Sequence, residues 1–230
     1  FGFRLHLIAE ARYEMPVAFK VTKASNSERT ENQNLLKTMK EEKPERIKKC
    51  EYMMEDKGYD GTDHITWLEQ EGIKPIIDIR NCWKDGEETH RYQDTDLVYD
   101  YKGTVWYVNE AEERIKLAYK GYDKSTDSLR YGFKPQYQDN RIFRIKCEED
   151  RRIFTPVARQ SYKWKRLYNE RSGIERMNGR IDRDYKFEKH TIRGLDKMRM
   201  FLTVSFIVYL GMAKAKIERG QKEHLCKLYA

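Results

Sequence analysis

Residues 48–79 read KKCEYMMEDKGYDGTDHITWLEQEGIKPIIDI, and the alternation of patterns in this stretch decides the fold class. Residues 48–54 have the aromatic and apolar content of a short strand. Residues 62–71 have the pattern of a helix, and Gly72 is a suitable residue to end it. Residues 73–79 then predict a second strand. A strand, a helix and a strand in succession predict a mixed α/β layer with helices covering a sheet.

The sequence before residue 48 and after residue 160 adds elements to this layer, whereas the segment of residues 80–160 has a different character. The extensions are an antiparallel hairpin from residues 3–9 and 13–22, a helix over 31–42, and helices over 161–183 and 191–219. The segment between residues 80 and 160 is polar with short aromatic pieces, which predicts an inserted, mainly β or irregular lobe. The expected organisation is a first part of the core in 1–80, an insertion in 81–160 and a C-terminal helical part of the core in 161–230.

The charge of the chain is concentrated in one segment. The chain of 230 residues carries a formal net charge of +8, and residues 159–199 hold 13 Lys and Arg against 6 Asp and Glu. A local basic segment is expected of a surface that meets phosphates. A solvated basic helix would show the same counts, so both interpretations stay open. The 16 Tyr, 9 Phe and 4 Trp argue against a disordered chain.

Several protein classes are disfavoured by simple features of the sequence. The chain has four cysteines without a CxxC pair, which disfavours a zinc site or a disulfide scaffold and favours a reducing cytoplasm: Cys50, Cys82, Cys147 and Cys226. The apolar run over residues 201–212 is short for a membrane span and predicts a buried helix. No signal peptide is expected, and the start at Phe1 predicts a cut or processed boundary. The sequence therefore predicts a cytoplasmic protein that does not enter a membrane.

Asp56 is the first residue that could carry chemistry. It follows a predicted strand and precedes a helix, and carboxylates at the C-terminal ends of strands face the crevice where α/β sheets bind ligands. Phosphodiester chemistry uses carboxylates to hold two magnesium ions about 3.5–4 Å apart. The alternative is that Asp56 and Asp60 are only turn residues, stabilised by their own backbone.

Glu175 is the second such residue. At helical spacing it shares one stripe with four other polar residues: Tyr168, Arg171, Asn178 and Asp182. Neighbouring cations would keep its carboxylate charged and could hold phosphates: Arg176, Arg180 and Arg183. The alternative is an exposed helix with ion pairs four residues apart.

The sequence around these two acids resembles bacterial insertion-sequence transposases of the DDE type. Residues 56–60 (DKGYD) resemble the second-Asp motif of that family, and residues 168–175 match its Y-x2-R-x3-E signature. Further blocks are similar in the family's order, in residues 5–8 with 21–24, 154–158 and 190–195. The resemblance covers nearly the whole chain. It implies an RNase H-like core in which Asp56 and Glu175 converge although they lie far apart in the sequence.

The resemblance also implies the roles of the site residues and the partners. Asp56 and Glu175 would be catalytic ligands of two Mg²⁺ or Mn²⁺ ions, and the protein would act on transposon ends and target DNA as a homodimer. The residues implied or expected to contact DNA are Lys163, Lys165, Tyr168, Arg171, Arg176, Arg180 and Arg183. The expected location is the bacterial cytoplasm.

Two departures from the family pattern leave alternatives. Asp182 stands where the signature often has Lys, so Arg180 or Arg183 would have to bind the phosphate. The family's first catalytic Asp precedes the hairpin and is expected upstream of Phe1, because Glu10 lies beyond the first strand. A catalytically incomplete DNA-binding remnant of a transposase, or an RNase H-like nuclease such as a junction resolvase, are therefore the alternative functions.

Overall fold

The structure, a computed structural model, describes residues 2–225, so that Cys226 lies outside the described residues. Two compact units are present: one combines the residues before 47 with those after 169, and the other is formed by residues 47–169. Both units contain helices and strands, which confirms the predicted mixed α/β class. The division predicted at residues 80 and 160 stays a prediction.

The described chain contains eleven strands and six α-helices. In chain order they are β1 (Phe3–Glu10), β2 (Met15–Lys23), α1 (Glu28–Glu42), α2 (Pro44–Lys49), β3 (Tyr52–Glu55), α3 (Thr62–Gln70), β4 (Lys74–Ile77), β5 (His90–Arg91), β6 (Leu97–Tyr99), β7 (Val105–Val108), β8 (Arg114–Lys116), β9 (Ala118–Asp123), β10 (Ser128–Gly132), β11 (Ile142–Lys146), α4 (Tyr162–Glu170), α5 (Ser172–Tyr185) and α6 (Leu195–Glu218).

The first unit is built on the hairpin of β1 and β2. The two strands are antiparallel, as predicted, and Phe3 pairs with Lys23 at the open end. Helix α1 begins earlier than predicted because the side chain of Ser27 caps it by accepting from the backbone N–H of Thr30. The core of the unit packs the hairpin against α5 and α6 through Val21, Met177, Ile181, Met198, Leu202 and Phe206.

Helix α6 corrects the prediction of a fully buried helix over residues 201–212. Leu202 and Tyr209 are buried on one face, whereas Val204 and Ile207 are exposed on the other. By length and composition α6 could cross a membrane, contrary to the estimate from the shorter apolar run. Core helices of soluble proteins can have the same length and composition. A third of the apolar stretch of α6 is buried (33%). The composition of α6 is therefore weak support for a membrane span.

In the second unit, β3, α3 and β4 form a strand–helix–strand motif. The strands are parallel, as short strands joined by a helix should be, with Glu55 opposite Ile77 at their ends. Gly72, with φ of 77°, follows the end of α3 as predicted. The predicted strand over 48–54 is partly wrong, because Pro44 favours a helix start and α2 extends to Lys49.

The remaining strands of the second unit lie in residues 80–160 and confirm the β-rich character predicted for that segment. Strands β5 to β8 form a four-stranded antiparallel sheet, and β9, β10 and β11 form a three-stranded one with β10 in the middle. Their core is aromatic, with Tyr131 and Phe154 fully buried. The segment therefore has a substantial hydrophobic core.

The helix predicted over 161–183 is interrupted, and α4 and α5 are separate elements. The break falls at Arg171, although its backbone stays in the right-handed helical region. Ser172 and Gly173, which follow, are weaker helix formers than alanine or leucine. Trp164 and Leu167 of α4 pack with Ile76 of β4. Tyr168 and Glu175 consequently lie on different helices, α4 and α5.

Candidate functional site

Two carboxylates stand at the carboxyl edge of the parallel strands in the second unit. Asp56 follows the last residue of β3, and Asp78 follows the last residue of β4. Because Glu55 and Ile77 are paired in a parallel register, the two aspartates come off the same edge. Ligands of open α/β sheets bind at this edge. Asp78 was predicted to lie inside the strand over residues 73–79, but β4 ends at Ile77 and so leaves Asp78 at this edge.

The carboxylate of Asp56 is exposed and oriented by its own turn. Its Oδ1 accepts from the backbone N–H of Gly58 at 2.7 Å and so caps the 3₁₀ turn Lys57–Tyr59. A Cβ at position 58 would lie 2.9 Å from that oxygen, so glycine permits the close approach. Asp56 therefore has the turn role that was the alternative interpretation. This contact also fixes the direction of the carboxylate, as hydrogen bonds to metal ligands commonly do.

Asp60, the second acid of the DKGYD motif, is buried rather than a solvent-exposed turn residue. Its side chain is fully inaccessible and receives two hydrogen bonds from Arg152, at 3.0 Å and 2.6 Å. The backbone N–H of Arg80 donates a third, at 3.0 Å. Because buried charges need such partners, Asp60 anchors the loop after β3 to distant parts of the same unit.

A buried pair fixes the residue that precedes Asp56. Glu55 is the last residue of β3, and its carboxylate contacts Nε2 of His64 on α3 at 2.6 Å. Both side chains are nearly inaccessible to solvent. The pair joins the end of β3 to α3, and it therefore fixes the backbone immediately before Asp56. Neither residue was identified from the sequence.

Several predicted DNA-contacting residues lie in the same unit as Asp56. Tyr168 packs against the β3–β4 region, and its ring stacks on Trp164 with 4.5 Å between centroids. Lys163 lies with its ammonium 4.9 Å from the ring centre of Tyr52, and Lys165 is exposed on the same helix. The structure therefore brings the helix carrying the tyrosine of the signature to the strand pair that carries Asp56.

The first unit holds Glu175 near the start of α5. Its carboxylate is more than half exposed (59%) and accepts from Arg171 at 2.6 Å, one helical turn away. This is the ion pair of the alternative interpretation. It also gives one carboxylate oxygen an orienting partner, as Gly58 does for Asp56. Arg183 is exposed and pairs with Asp184 at 2.7 Å.

Glu14 is a residue that the sequence analysis missed, and it binds two of the predicted DNA-contacting arginines. Its carboxylate accepts from Arg176 at 2.7 Å and from Arg180, whose side chain is mostly buried (11% exposed). The phenol of Tyr209 on α6 donates to the backbone oxygen of Glu14 at 3.4 Å. Glu14 therefore ties the hairpin turn to α5 and α6 and helps to fix the helix that carries Glu175.

The charge of Glu14 is stabilised by these arginines. Burial alone would raise the pKa of Glu14, but the hydrogen bonds from Arg180 and Arg176 outweigh it and lower the pKa below the ordinary value of 4.5. A depressed folded-state pKa stabilises the fold above the unfolded-state value, and this contribution is lost as the pH falls through the lowered value.

The Glu14→Gln substitution is expected to lower the free energy of unfolding by about 1–3 kcal/mol at neutral pH, because the charge-assisted bonds to Arg176 and Arg180 weaken. Urea unfolding at pH 7 and in acid measures this, and the difference from wild type should shrink in acid. Glu28→Gln is the matched control, since Glu28 forms an exposed pair with Arg4 at 3.5 Å. Its cost should stay below about 0.5 kcal/mol, and equal costs for the two substitutions would contradict the role of Glu14.

Considered separately, Asp56 and Glu175 each have the chemistry of a ligand for a hard divalent cation. Asp56 and Glu175 are exposed oxygen donors, and an orienting hydrogen bond holds one oxygen of each. In the part of the chain that the structure describes, no group of three or more His, Cys, Asp or Glu could hold a metal. Asp56 belongs to the second unit and Glu175 to the first, so their convergence stays a prediction.

In a comparison with protein families, residues 1–210 match the transposase DDE domain. The matched region contains both candidate metal ligands and all seven predicted DNA-contacting residues. No curated protein and no solved structure was found to match the chain.

Proposed function

Because the chain belongs to the transposase DDE domain family, we propose that it cleaves the ends of an insertion sequence and joins the freed 3′ ends to target DNA. The observation that carries the proposal is the placement of Asp56 at the carboxyl edge of β3, in the same unit as Tyr168. The proposal includes an RNase H-like core. It also includes a homodimer, since the two ends of an element need two active sites.

Asp56 and Glu175 are proposed as ligands of Mg²⁺ or Mn²⁺. A divalent cation held by them would stabilise the charge that develops on the phosphate and activate the attacking hydroxyl. The contribution of the chain is to hold these carboxylates in a fixed direction. Gly58 does this for Asp56 through its backbone N–H, and Arg171 does it for Glu175 through its guanidinium.

The exposed cations are proposed to bind the DNA backbone. Lys163 and Lys165 lie on the helix that carries Tyr168, and Arg176 and Arg183 lie on α5. Phosphate contacts of this kind position the duplex without reading its sequence. Arg180 has a structural contact with Glu14, and its contact with DNA stays a prediction.

The proposal is tested with the full-length protein and a labelled duplex that carries an end of the element. Strand cleavage and joining to a second duplex should appear with Mg²⁺ or Mn²⁺ and disappear with a chelator. Chelation should leave binding of the duplex largely intact, because the phosphate contacts belong to the basic side chains. Binding without any cleavage in either metal would contradict the proposed activity.

A DNA-binding protein without catalytic activity is the second candidate. The observation that favours it is the set of exposed basic side chains on α4 and α5, which could bind DNA phosphates without a metal ion. The same cleavage experiment separates the two candidates. Duplex binding that depends on salt, with no metal-dependent cleavage by the full-length protein, would favour this second function.

A further inference from the structure

We propose that Lys57 binds a phosphate of the DNA strand at Asp56, and that Asp78 positions its ammonium group for this contact. The inference rests on the proposed function and adds two residues to the same site. Neither residue was among the predicted site residues. Lys57 would be a direct DNA contact, and Asp78 would act only through Lys57.

The first step of the argument is the placement of Lys57. It directly follows Asp56 and begins the 3₁₀ turn that leaves β3. Its ammonium lies 3.1 Å from Oδ2 of Asp78, at the end of the neighbouring parallel strand. The bond therefore runs across the carboxyl edge of the strand pair, and it holds a cation within the immediate surroundings of Asp56.

The second step is that Asp78 is itself well fixed. Its Oδ1 accepts from the backbone N–H of Ile79 at 2.9 Å, which leaves Oδ2 for Lys57. The buried guanidinium of Arg159 donates to the backbone oxygen of Ile77 at 3.0 Å and so secures the end of β4. A lysine on a flexible chain is thus held by an acid whose own position is determined by the fold.

The third step is the accessibility of the cation. The side chain of Lys57 is mostly exposed (59%), whereas Asp78 is less so (28%). An ammonium group has three N–H donors, so the bond to Asp78 leaves capacity for phosphate oxygens. Lysine has an ordinary pKa of about 10.4, so its ammonium group is available as a cation for a phosphate at neutral pH.

The fourth step is the chemistry of the surroundings. Tyr168 packs against the same pair of strands whose carboxyl edge carries Lys57. Tyr168 belongs to the signature proposed to meet DNA phosphate. A phosphate near Asp56 would be repelled by that carboxylate, and a fixed cation beside it offsets the repulsion. Lys57 is in the position to supply that cation.

An ordinary surface ion pair would look similar, and the chain contains one for comparison. Lys74 and Glu51 also pair at 3.1 Å, but at the amino edge of the same two strands. Exposed pairs contribute about 0–1 kcal/mol to stability wherever they lie. Stability should therefore not distinguish the two pairs, whereas DNA binding should weaken on loss of Lys57 and not on loss of Lys74.

The experiment compares Lys57→Met with Lys74→Met in the full-length protein. Fluorescence anisotropy measures binding of an element-end duplex over a range of salt concentrations, without divalent metal. Lys57→Met is expected to weaken binding about tenfold and to reduce the slope of log K against log salt by about one phosphate contact. Lys74→Met should change neither quantity. Thermal unfolding of both variants checks that the fold is retained.

Two further variants identify the role of each partner. Lys57→Arg should keep the wild-type salt slope, because it retains the charge. Asp78→Asn should keep the slope as well but weaken binding by about threefold, since the phosphate contact remains while the ammonium is less well positioned. Wild-type affinity of the Asp78→Asn variant would overturn the positioning role.

The outcome for the inference is separate from the outcome for the proposed function. Equal salt slopes for Lys57→Met and Lys74→Met overturn the phosphate contact, even when cleavage depends on Asp56. Cleavage that survives the loss of the Asp56 carboxylate instead overturns the proposed function, whatever Lys57 does. The salt slope is measured without metal and does not require catalysis.

Discussion

Asp56→Asn and Glu175→Gln are each expected to lower the rate of DNA strand cleavage by about a thousandfold or more. Each substitution keeps the shape of the side chain and removes the negative charge that a divalent cation needs. Metal ions supply several kcal/mol of charge stabilisation in such reactions, and each 1.36 kcal/mol is a factor of about ten in rate. Single-turnover cleavage by the full-length protein in Mg²⁺ measures the effect.

The same variants should bind the element-end duplex at least as tightly as the wild type. Removing a carboxylate near phosphates removes a repulsion, so loss of cleavage together with retained binding indicates a defect in the chemical step. Glu170→Gln is the matched control for Glu175, because it neutralises an exposed acid five positions earlier in the chain. If Asp56→Asn or Glu175→Gln cleaves as fast as Glu170→Gln, that residue is not a metal ligand.

Asp60→Ala is expected to lower the free energy of unfolding by about 3–5 kcal/mol, the usual cost of removing one partner of a buried ion pair. The side chain of Arg152 is only 16% exposed and would lose both of its hydrogen bonds to a carboxylate. The backbone N–H of Arg80 would lose its acceptor as well. Chemical denaturation at neutral pH measures the change.

A surface pair in the same unit provides the control for Asp60. Asp139 also pairs with an arginine through two nitrogens, since Nε and Nη2 of Arg141 lie 2.9 Å and 2.8 Å from its Oδ2. The side chain of Arg141, however, is more than half exposed (56%). Asp139→Ala should therefore cost about 1 kcal/mol or less. The Asp60→Ala/Arg152→Ala double variant should be more stable than additivity predicts, because it leaves no unpaired charge. Strict additivity would show that the two residues do not act as a pair.

The parts of the fold that the sequence predicted correctly are those set by local patterns. The hairpin of β1 and β2 follows from alternating strand residues, and the end of α3 follows from Gly72, whose left-handed backbone favours glycine. The break at Arg171 was not predicted, because its backbone stays helical and only the hydrogen-bonding pattern changes. Local propensity at Ser172 and Gly173 was the available signal.

Helix α6 shows a second limit of pattern reading. An apolar run does not tell which of its residues are covered, since both faces of α6 carry large apolar side chains. Leu202 packs into the core of the first unit, whereas Ile207 on the opposite face is exposed. Burial of this kind depends on the neighbouring elements, and the sequence of the helix does not contain that information.

The candidate site, like the fold, was only partly predictable from the sequence. Asp56 was predicted from its position after a strand, whereas Asp78 was missed because the next strand was predicted to continue to residue 79 and ends at Ile77. The partners of Glu14 and Asp60 were out of reach, because Arg180 and Arg152 lie far along the chain from them. Such pairs are created by tertiary structure, and no spacing rule in a single sequence identifies them.

The backbone of Glu14 has a consequence for which residues this position can tolerate. Its φ of 53° lies in the left-handed region, where a residue other than glycine costs about 1–2 kcal/mol. Glycine would relieve that cost but would remove the acid that Arg176 and Arg180 require. Asparagine tolerates the backbone yet carries no charge. Position 14 thus has two opposing requirements: a backbone conformation that favours glycine and a side chain that carries a carboxylate. Substitutions at this position are therefore expected to be rarer than is usual in a short loop between two strands.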